Sequence, residues 1–271
     1  MKDDRCVRFL QWALPQMHMR WPGFRKVRRQ VCRRVDRRMH ALGLTHVDEY
    51  QDYLETHADE WAALDSLCRI TISRFGRDKG VFATLVDAVL PELIRNVRAR
   101  GGDTLRAWSA GCASGEEPYT LAILWHTQLQ PRFPGTKLDV TATDSDKRML
   151  ERAREARYAF GSLKELPADL RDRVFTRDDH GYRLDARYRR GVTFLEQDVR
   201  EARPEGPFDL VLCRNLVFTY FDEELQAGLL TRIIDTMAVG AALVIGIHED
   251  LPEGPGRLEP WFEKQRIYRK G

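Results

Sequence analysis

Between residues 24 and 42 the apolar side chains Phe24, Val27, Val31, Val35, Met39 and Leu42 return every three or four positions. That is the period of one helical face. Arg25, Arg28, Arg29, Arg33, Arg34, Arg37 and Arg38 occupy the other faces, so the stretch predicts an amphipathic, basic helix. "THVDEYQDYL" and "ADEWAALDSLCRI" predict two more helices. Thr45 with Asp48 three residues on has the form of a helix start. From about Leu105 the period changes. "TLRAWSA", "KLDVTATD", "VTFLEQD", "FDLVLCRN" and "AALVIGIHE" read as strands. "EEPYTLAILWHTQL", "SDKRMLERAREARYA" and "DEELQAGLLTRIIDTMA" read as the helices among them, and "RIYRKG" as a terminal edge strand.

Alternation of strand and helix predicts βαβ units and a mainly parallel sheet. The expected architecture is therefore α/β: a nucleotide-binding, Rossmann-like sheet over residues 86–271, preceded by a small all-helical domain over 1–85. A polar insert at about 161–191, "SLKELPADLRDRVFTRDDHGYRLDARYRR" within it, is too long for a plain connection and predicts small structure of its own.

The 271 residues are 43% hydrophobic, enough for a sizeable core. No apolar run reaches the length of a membrane span, and the first residues lack the apolar core and cleavage site of a secretory signal. Cys6, Cys32, Cys68, Cys112 and Cys213 stand singly. That spacing predicts neither a metal site nor a disulfide framework, and points to reduced thiols in a cytoplasmic protein. The overall charge of +3 hides an asymmetry. Residues 1–46 hold 12 Lys/Arg against 3 Asp/Glu, a net +9, leaving −6 for the remainder. The pattern is a basic module on a mildly acidic body.

The chemistry concentrates in "WSAGCASGEEPY", between the first strand and its helix, where open α/β sheets bind ligands. Gly111, Ala113, Ser114 and Gly115 let a ligand approach the backbone. Pro118 suits a first helical turn, and Glu116 and Glu117 suit the positive helix end. Neither GxGxxG nor GxxxxGK[ST] is present, and two acids repel phosphate. Asp144 closes the second strand. An acid there holds ribose hydroxyls or caps the helix begun by "SDKRML". A nucleoside with a positive centre, S-adenosylmethionine (SAM), answers this combination.

These segments resemble the CheR-type methyltransferases, which esterify glutamates on bacterial chemoreceptors in chemotaxis. "WSAGCASGEEPY" is similar to the family's SAM loop, "FDLVLCRNLVFTYFD" to its F-D-x-I-x-C-R-N-V-x-I-Y-F-D, "ITISRFGRD" to its T-x-x-T-x-F-F-R-D and "LVIGIHEDL" to its L-x-x-G-x-S-E-x-L. The lead-in "RRMHALGLTHVDEYQDYL" matches as well, so the likeness runs from about Arg33 to Leu251. It implies SAM as cofactor and S-adenosylhomocysteine as product. It implies that Thr71, Ser73 and Arg77 line the cofactor and acceptor cleft, that Gly111 and Glu117 lie at the cofactor loop, and that Asp144 holds the ribose. Asp198 and Val199 would flank the adenine, and Asn215 and Leu216 would close over the cofactor. Three positions depart from the motifs: Gly76 replaces a Phe, one extra residue precedes Phe221 and so shifts Tyr220, and Gly246-Ile247-His248-Glu249 replaces G-H-S-E.

Methyl transfer from a sulfonium is an in-line displacement in which alignment is worth about 7–11 kcal/mol. The resemblance implies carboxyl O-methylation of protein glutamate. A carboxylate acceptor needs no base, and Arg77 would orient it through paired hydrogen bonds unless Arg77 is spent on a salt bridge to Asp78 or Glu117. A small-molecule hydroxyl, thiol or amine acceptor would instead draw on Tyr220 or His248. The catalytic candidates are thus Arg77 and Tyr220. A non-catalytic SAM-binding module is the remaining alternative. The expected partner is an acidic protein such as a receptor domain, or a small-molecule acceptor. "CRNLVF" stands where base methyltransferases carry [DNS]-P-P-[YFW], which argues against nucleic acid.

Overall fold

The computed structural model describes residues 3–253 and 257–271. Their contacts divide the chain at Ile70/Thr71 into two compact units, and residues 219–226 join the first.

The first unit holds α1 (Asp3–Gln16), α2 (Trp21–Phe24), α3 (Arg28–Ala41), α4 (Val47–Thr56) and α5 (Glu60–Cys68). The predicted stripe folds as α2 and α3, with Phe24, Val31, Val35 and Met39 buried. Phe9, Leu10 and Leu14 of α1, Tyr50 and Leu54 of α4 and Leu64 of α5 are buried as well. Glu60 is the buried acid of this core. Arg38 grips it through two nitrogens at 2.9 and 2.6 Å, and the Tyr50 hydroxyl donates at 2.7 Å. Those bonds, Arg38's foremost, hold the Glu60 carboxyl below its ordinary pKa. The start of α4 differs from the Thr45/Asp48 expectation. His46 is the cap residue, and Glu49 closes the capping box, accepting from the backbone N–H of His46 and of Thr45. The expectation of unpaired thiols is overturned at one pair. Cys6 of α1 and Cys32 of α3 form a disulfide, their Cα atoms 6.0 Å apart. Packing of α1 on α3 brings together two cysteines that 26 residues separate in sequence. Cys68, Cys112 and Cys213 are free and buried.

The second unit begins with α6 (Lys79–Thr84), a π-turn (Leu85–Val89) and α7 (Leu90–Ala99). The sheet strands are β1 (Thr104–Ala110), β2 (Lys137–Asp144), β6 (Val192–Glu196), β7 (Phe208–Cys213), β8 (Met237–Ile245), β9 (Leu258–Phe262) and β10 (Ile267–Lys270). Their order is β6-β2-β1-β7-β8-β10-β9. The first five are parallel neighbours, and the last two run antiparallel. From β1 the chain moves outward through β2 and β6, then returns to β7 on the other side of β1. That reversal is the switch point at which α/β sheets bind ligands. The terminal segment "IYRK" is not the edge as expected. β10 lies between β8 and β9, and β9 takes the edge, where its Pro260 is tolerated for lack of a required N–H. α8 (Glu116–Leu124) runs into a second π-turn (Trp125–Leu129), and α9 (Lys147–Glu155) and most of α12 (Glu223–Asp235) belong to the same unit. The insert has structure of its own: α10 (Phe160–Leu163), α11 (Ala168–Val174), β4 (Phe175–Asp178) and β5 (Gly181–Leu184), the last pairing with β4 and with β3 (Arg157–Tyr158) in a small antiparallel sheet.

Candidate functional site

The site is built at the carboxyl ends of β1, β2 and β7. Gly111 leaves β1 with φ +74°, and its N–H reaches the Thr143 carbonyl at 2.8 Å. A Cβ on Gly111 would lie 2.6 Å from Leu216 Cδ2, so a larger residue would displace a residue expected to cover the cofactor. Ala113 is also left-handed, at φ +47°. Its N–H donates to Asp144 Oδ2 at 2.8 Å, while Asp144 Oδ1 accepts from the Asp146 N–H at 2.8 Å. Asp144 therefore ties the end of β2 to the β1 turn. The helix cap is Asp146, whose carboxylate accepts from the N–H groups of Arg148 and Met149.

The two glutamates divide their work. Glu116 is buried, with Ser114 donating at 2.9 and 3.0 Å and Ser162 at 3.4 Å; Ser73 bonds it too. Burial raises its pKa. Glu117 accepts from Ser109 Oγ at 2.8 Å and from Arg214 at 3.0 Å. Arg214 is the cation that the sequence reasoning missed. Its side chain is 2% exposed, pairs with Glu117 and with Asp78 (2.6 Å), donates to the Arg77 carbonyl (3.2 Å) and lies over the Phe82 ring. The salt bridges imagined for Arg77 belong to Arg214. Arg77 instead donates to the Ile72 carbonyl at 3.2 Å and to Asn215 Oδ1 at 3.0 Å, and no carboxylate pairs with it among the described residues. Asn215 has φ +57°. Buried Glu249 fixes it by accepting from its N–H at 2.9 Å, and accepts from Gly246 as well. Arg214 sits inside the quoted "CRN" and Glu249 inside "LVIGIHEDL", so both signals were present in the motifs.

The remaining expected residues are less concentrated. Thr71 is partly exposed and Val199 is buried. Asp198 accepts from the backbone N–H and guanidinium of Arg200 at 2.6–3.0 Å. Beside it, Gln197 Oε1 is buried without a hydrogen-bond partner, an orphaned acceptor that fits the exocyclic amine of a purine. With the bare Gly111 turn and the Asp144 carboxylate, the donor set fits a nucleoside carrying a positive centre. Tyr220 belongs to the first unit, where its carbonyl accepts from the Arg20 N–H at 2.8 Å and its ring packs on Phe24 with centroids 5.0 Å apart. His248 is exposed. No cluster of metal-binding side chains occurs among the described residues, and none of their helices is long and apolar enough to cross a membrane.

An open, mainly parallel sheet with an acidic, glycine-bearing turn at its switch point and no phosphate loop fits a SAM-dependent methyltransferase. A family model described as "CheR methyltransferase, SAM binding domain" matches residues 71–267, and one described as "CheR methyltransferase, all-alpha domain" matches residues 26–65. The chain belongs to the CheR methyltransferase family. It is 32% identical over 226 residues to a probable chemotaxis protein methyltransferase of Rhizobium etli, covering 81% of this chain and 83% of that one. It is 32% identical over 231 residues to the chemotaxis protein methyltransferase of Escherichia coli, covering 82% and 77%. A 104.1 kDa protein of Rhodobacter capsulatus is 34% identical over 242 residues, covering 88% of this chain but 25% of that longer protein.

Proposed function

We propose that this enzyme methylates the side-chain carboxylate of a glutamate on a protein acceptor, as the names of its chemotaxis relatives suggest. The observation that carries the reading is Arg77. Its guanidinium is partly buried, is aimed by Asn215 and Ile72 and has no carboxylate of its own among the described residues, whereas neighbouring Arg214 already has two. A guanidinium so placed is a receptor for an incoming carboxylate. SAM, when bound, supplies an electrophilic methyl on a sulfonium leaving group. Asp144 would hold the ribose, Glu117 the cationic end of the cofactor, Asp198, Val199 and Gln197 the adenine, and Asn215 and Leu216 the cover, with Thr71 and Ser73 along the cleft.

The acceptor is ionised at neutral pH, so this chain has no proton to remove. What it supplies is orientation. Arg77 holds one carboxylate oxygen in line, and the network of Arg214, Asp78 and Glu117 keeps the Arg77 segment and the cofactor loop in register. Exposed His248 is not needed as a base. The exposed cations Arg25, Arg29, Arg33 and Arg37 give the helical unit a face for an acidic acceptor protein.

The test is methyl transfer to a helical receptor segment bearing a single Glu, against the same segment with Gln. Transfer to Glu alone, lost in Arg77→Ala by more than 100-fold in kcat/KM and partly restored in Arg77→Lys, is the expected result. Equal transfer to Gln, or Arg77→Ala matching the parent, contradicts the reading.

A further inference from the structure

A cavity of about 270 Å³ lies in the α/β unit. Phe82, Ala83 and Val86 line it from α6 and its π-turn, Ile123 and Leu124 from α8, and Leu166 from the insert. The floor includes Gly76, the position at which the family motif carries Phe. Gly76 has φ +68°, and its N–H donates to Thr120 Oγ1 at 3.1 Å. An added Cβ there would meet Leu166 Cδ2 at 3.6 Å and the Glu165 carbonyl at 3.7 Å, ordinary contacts, so at this point the cavity wall is backbone and Leu166 and carries no aromatic ring. Both helical walls pass into π-turns that touch one another, Leu85–Val89 and Trp125–Leu129. Such turns recur where helices shape a binding site.

The size and charge of the cavity select its ligand. An apolar cavity of about 150 Å³ takes benzene, so this one takes two fused rings. Lys79 is the cation among the lining residues. The nearby acids are already engaged, Glu165 by Arg74 at 3.0 Å and Asp78 by Arg214. Lys79, on the cavity rim, has no anionic partner among the described residues. The free acid of the lining, Asp87, is eight residues farther along the same helix, roughly 12 Å at 1.5 Å per residue. One end of the cavity is therefore cationic and its body apolar.

We propose that this cavity is a second ligand site, distinct from the methyl-transfer site, for a small aromatic acid whose ring system fills the apolar body of the cavity and whose carboxylate meets Lys79. Because the cavity floor is the turn that carries Arg77, an occupant acts on acceptor turnover and leaves cofactor affinity unchanged.

The probe is 2-naphthoate, titrated by calorimetry into the full chain saturated with S-adenosylhomocysteine, with 2-naphthylmethylamine as the cationic counterpart. Saturable one-to-one binding of the acid is expected, with the amine at least 10-fold weaker. Ala83→Trp fills the cavity from an exposed helical position and should weaken the acid at least 10-fold. Lys79→Glu should weaken it about 5-fold or more. Nuclear Overhauser contacts from the naphthyl protons should reach the methyls of Val86, Ile123 and Leu166. The proposal is overturned if the acid fails to saturate, if S-adenosylhomocysteine displaces it, if the amine binds as well, or if neither substitution changes its affinity.

Discussion

Asp144→Ala separates the structural tie that Asp144 makes from the ribose contact proposed for it above. In the protein without cofactor, its oxygens hold the N–H groups of Ala113 and Asp146, each at 2.8 Å. A hydrogen bond to a charged group contributes about 1.5–3 kcal/mol. Asp144 is partly exposed and water replaces it in the variant, so the lower end applies: a loss of about 3 kcal/mol in stability from the pair. Ala113, at φ +47°, loses the bond that holds it in the left-handed region. The ribose adds a separate term of about 1.5–3 kcal/mol that appears only in binding, a roughly 10- to 150-fold rise in Kd. Urea unfolding without ligand measures the first quantity. Calorimetric titration of S-adenosylhomocysteine into the folded variant measures the second. Asp144→Asn retains one acceptor oxygen and should fall between the parent and Ala in both. A variant that loses stability yet binds S-adenosylhomocysteine with unchanged affinity would refute the ribose assignment and leave Asp144 as a tie between two loops.

Three further outcomes are expected. The folded-state pKa of Glu60 is depressed by Arg38 and Tyr50, so its contribution is present above its ordinary value of 4.5 and is lost as pH falls through the folded value; chemical unfolding monitored by fluorescence should show parent stability dropping on acidification below pH 4.5 and a smaller drop in Glu60→Gln. Reducing the Cys6–Cys32 bond, or replacing both cysteines by Ser, frees a loop of 26 residues and should cost about 3–4 kcal/mol, read as a lower urea midpoint with dithiothreitol in the parent and no reductant effect in the double variant. Reversing Arg25, Arg29, Arg33 and Arg37 to Glu should weaken turnover on an acidic protein acceptor and remove its salt dependence without changing S-adenosylhomocysteine affinity; Arg28 is left out because it already pairs with Asp3 at 3.0 Å.

What the sequence makes legible is the part governed by local period and local chemistry. β1 and β2 occupy "TLRAWSA" and "KLDVTATD" as the alternation predicts, since both are short apolar runs bounded by charged or turn residues. The cofactor turn is legible because glycine, small residues and paired acids have few joint uses. The helices of residues 79–99 are harder to read. Val81, Leu85, Val89, Ile94 and Val97 form a buried stripe, but Pro91 interrupts the pattern. The π-turn absorbs it, with the Leu90 N–H bonding to the Leu85 carbonyl five residues back. Arg214 could be seen as a motif residue but not as the partner of Glu117 and Asp78, because 97 and 136 positions separate them. The Cys6–Cys32 bond depends likewise on how α1 packs against α3, which no local spacing encodes. Gly76 was legible as a departure from the motif; that it also lines a cavity with Leu166 and Leu170 could not be read, because the insert supplies those walls from about 90 residues farther on.

The most direct measurement of the central claim is the chemical fate of the transferred group. The enzyme is incubated with SAM carrying a labelled methyl and a cell extract containing receptor-type acceptors, and the protein fraction is then treated with mild base. Release of the label as volatile methanol, absent from an Arg77→Ala control, is the predicted result, because a methyl ester hydrolyses in base. Label that stays on protein after base, or that resides in a low-mass compound, contradicts glutamate esterification.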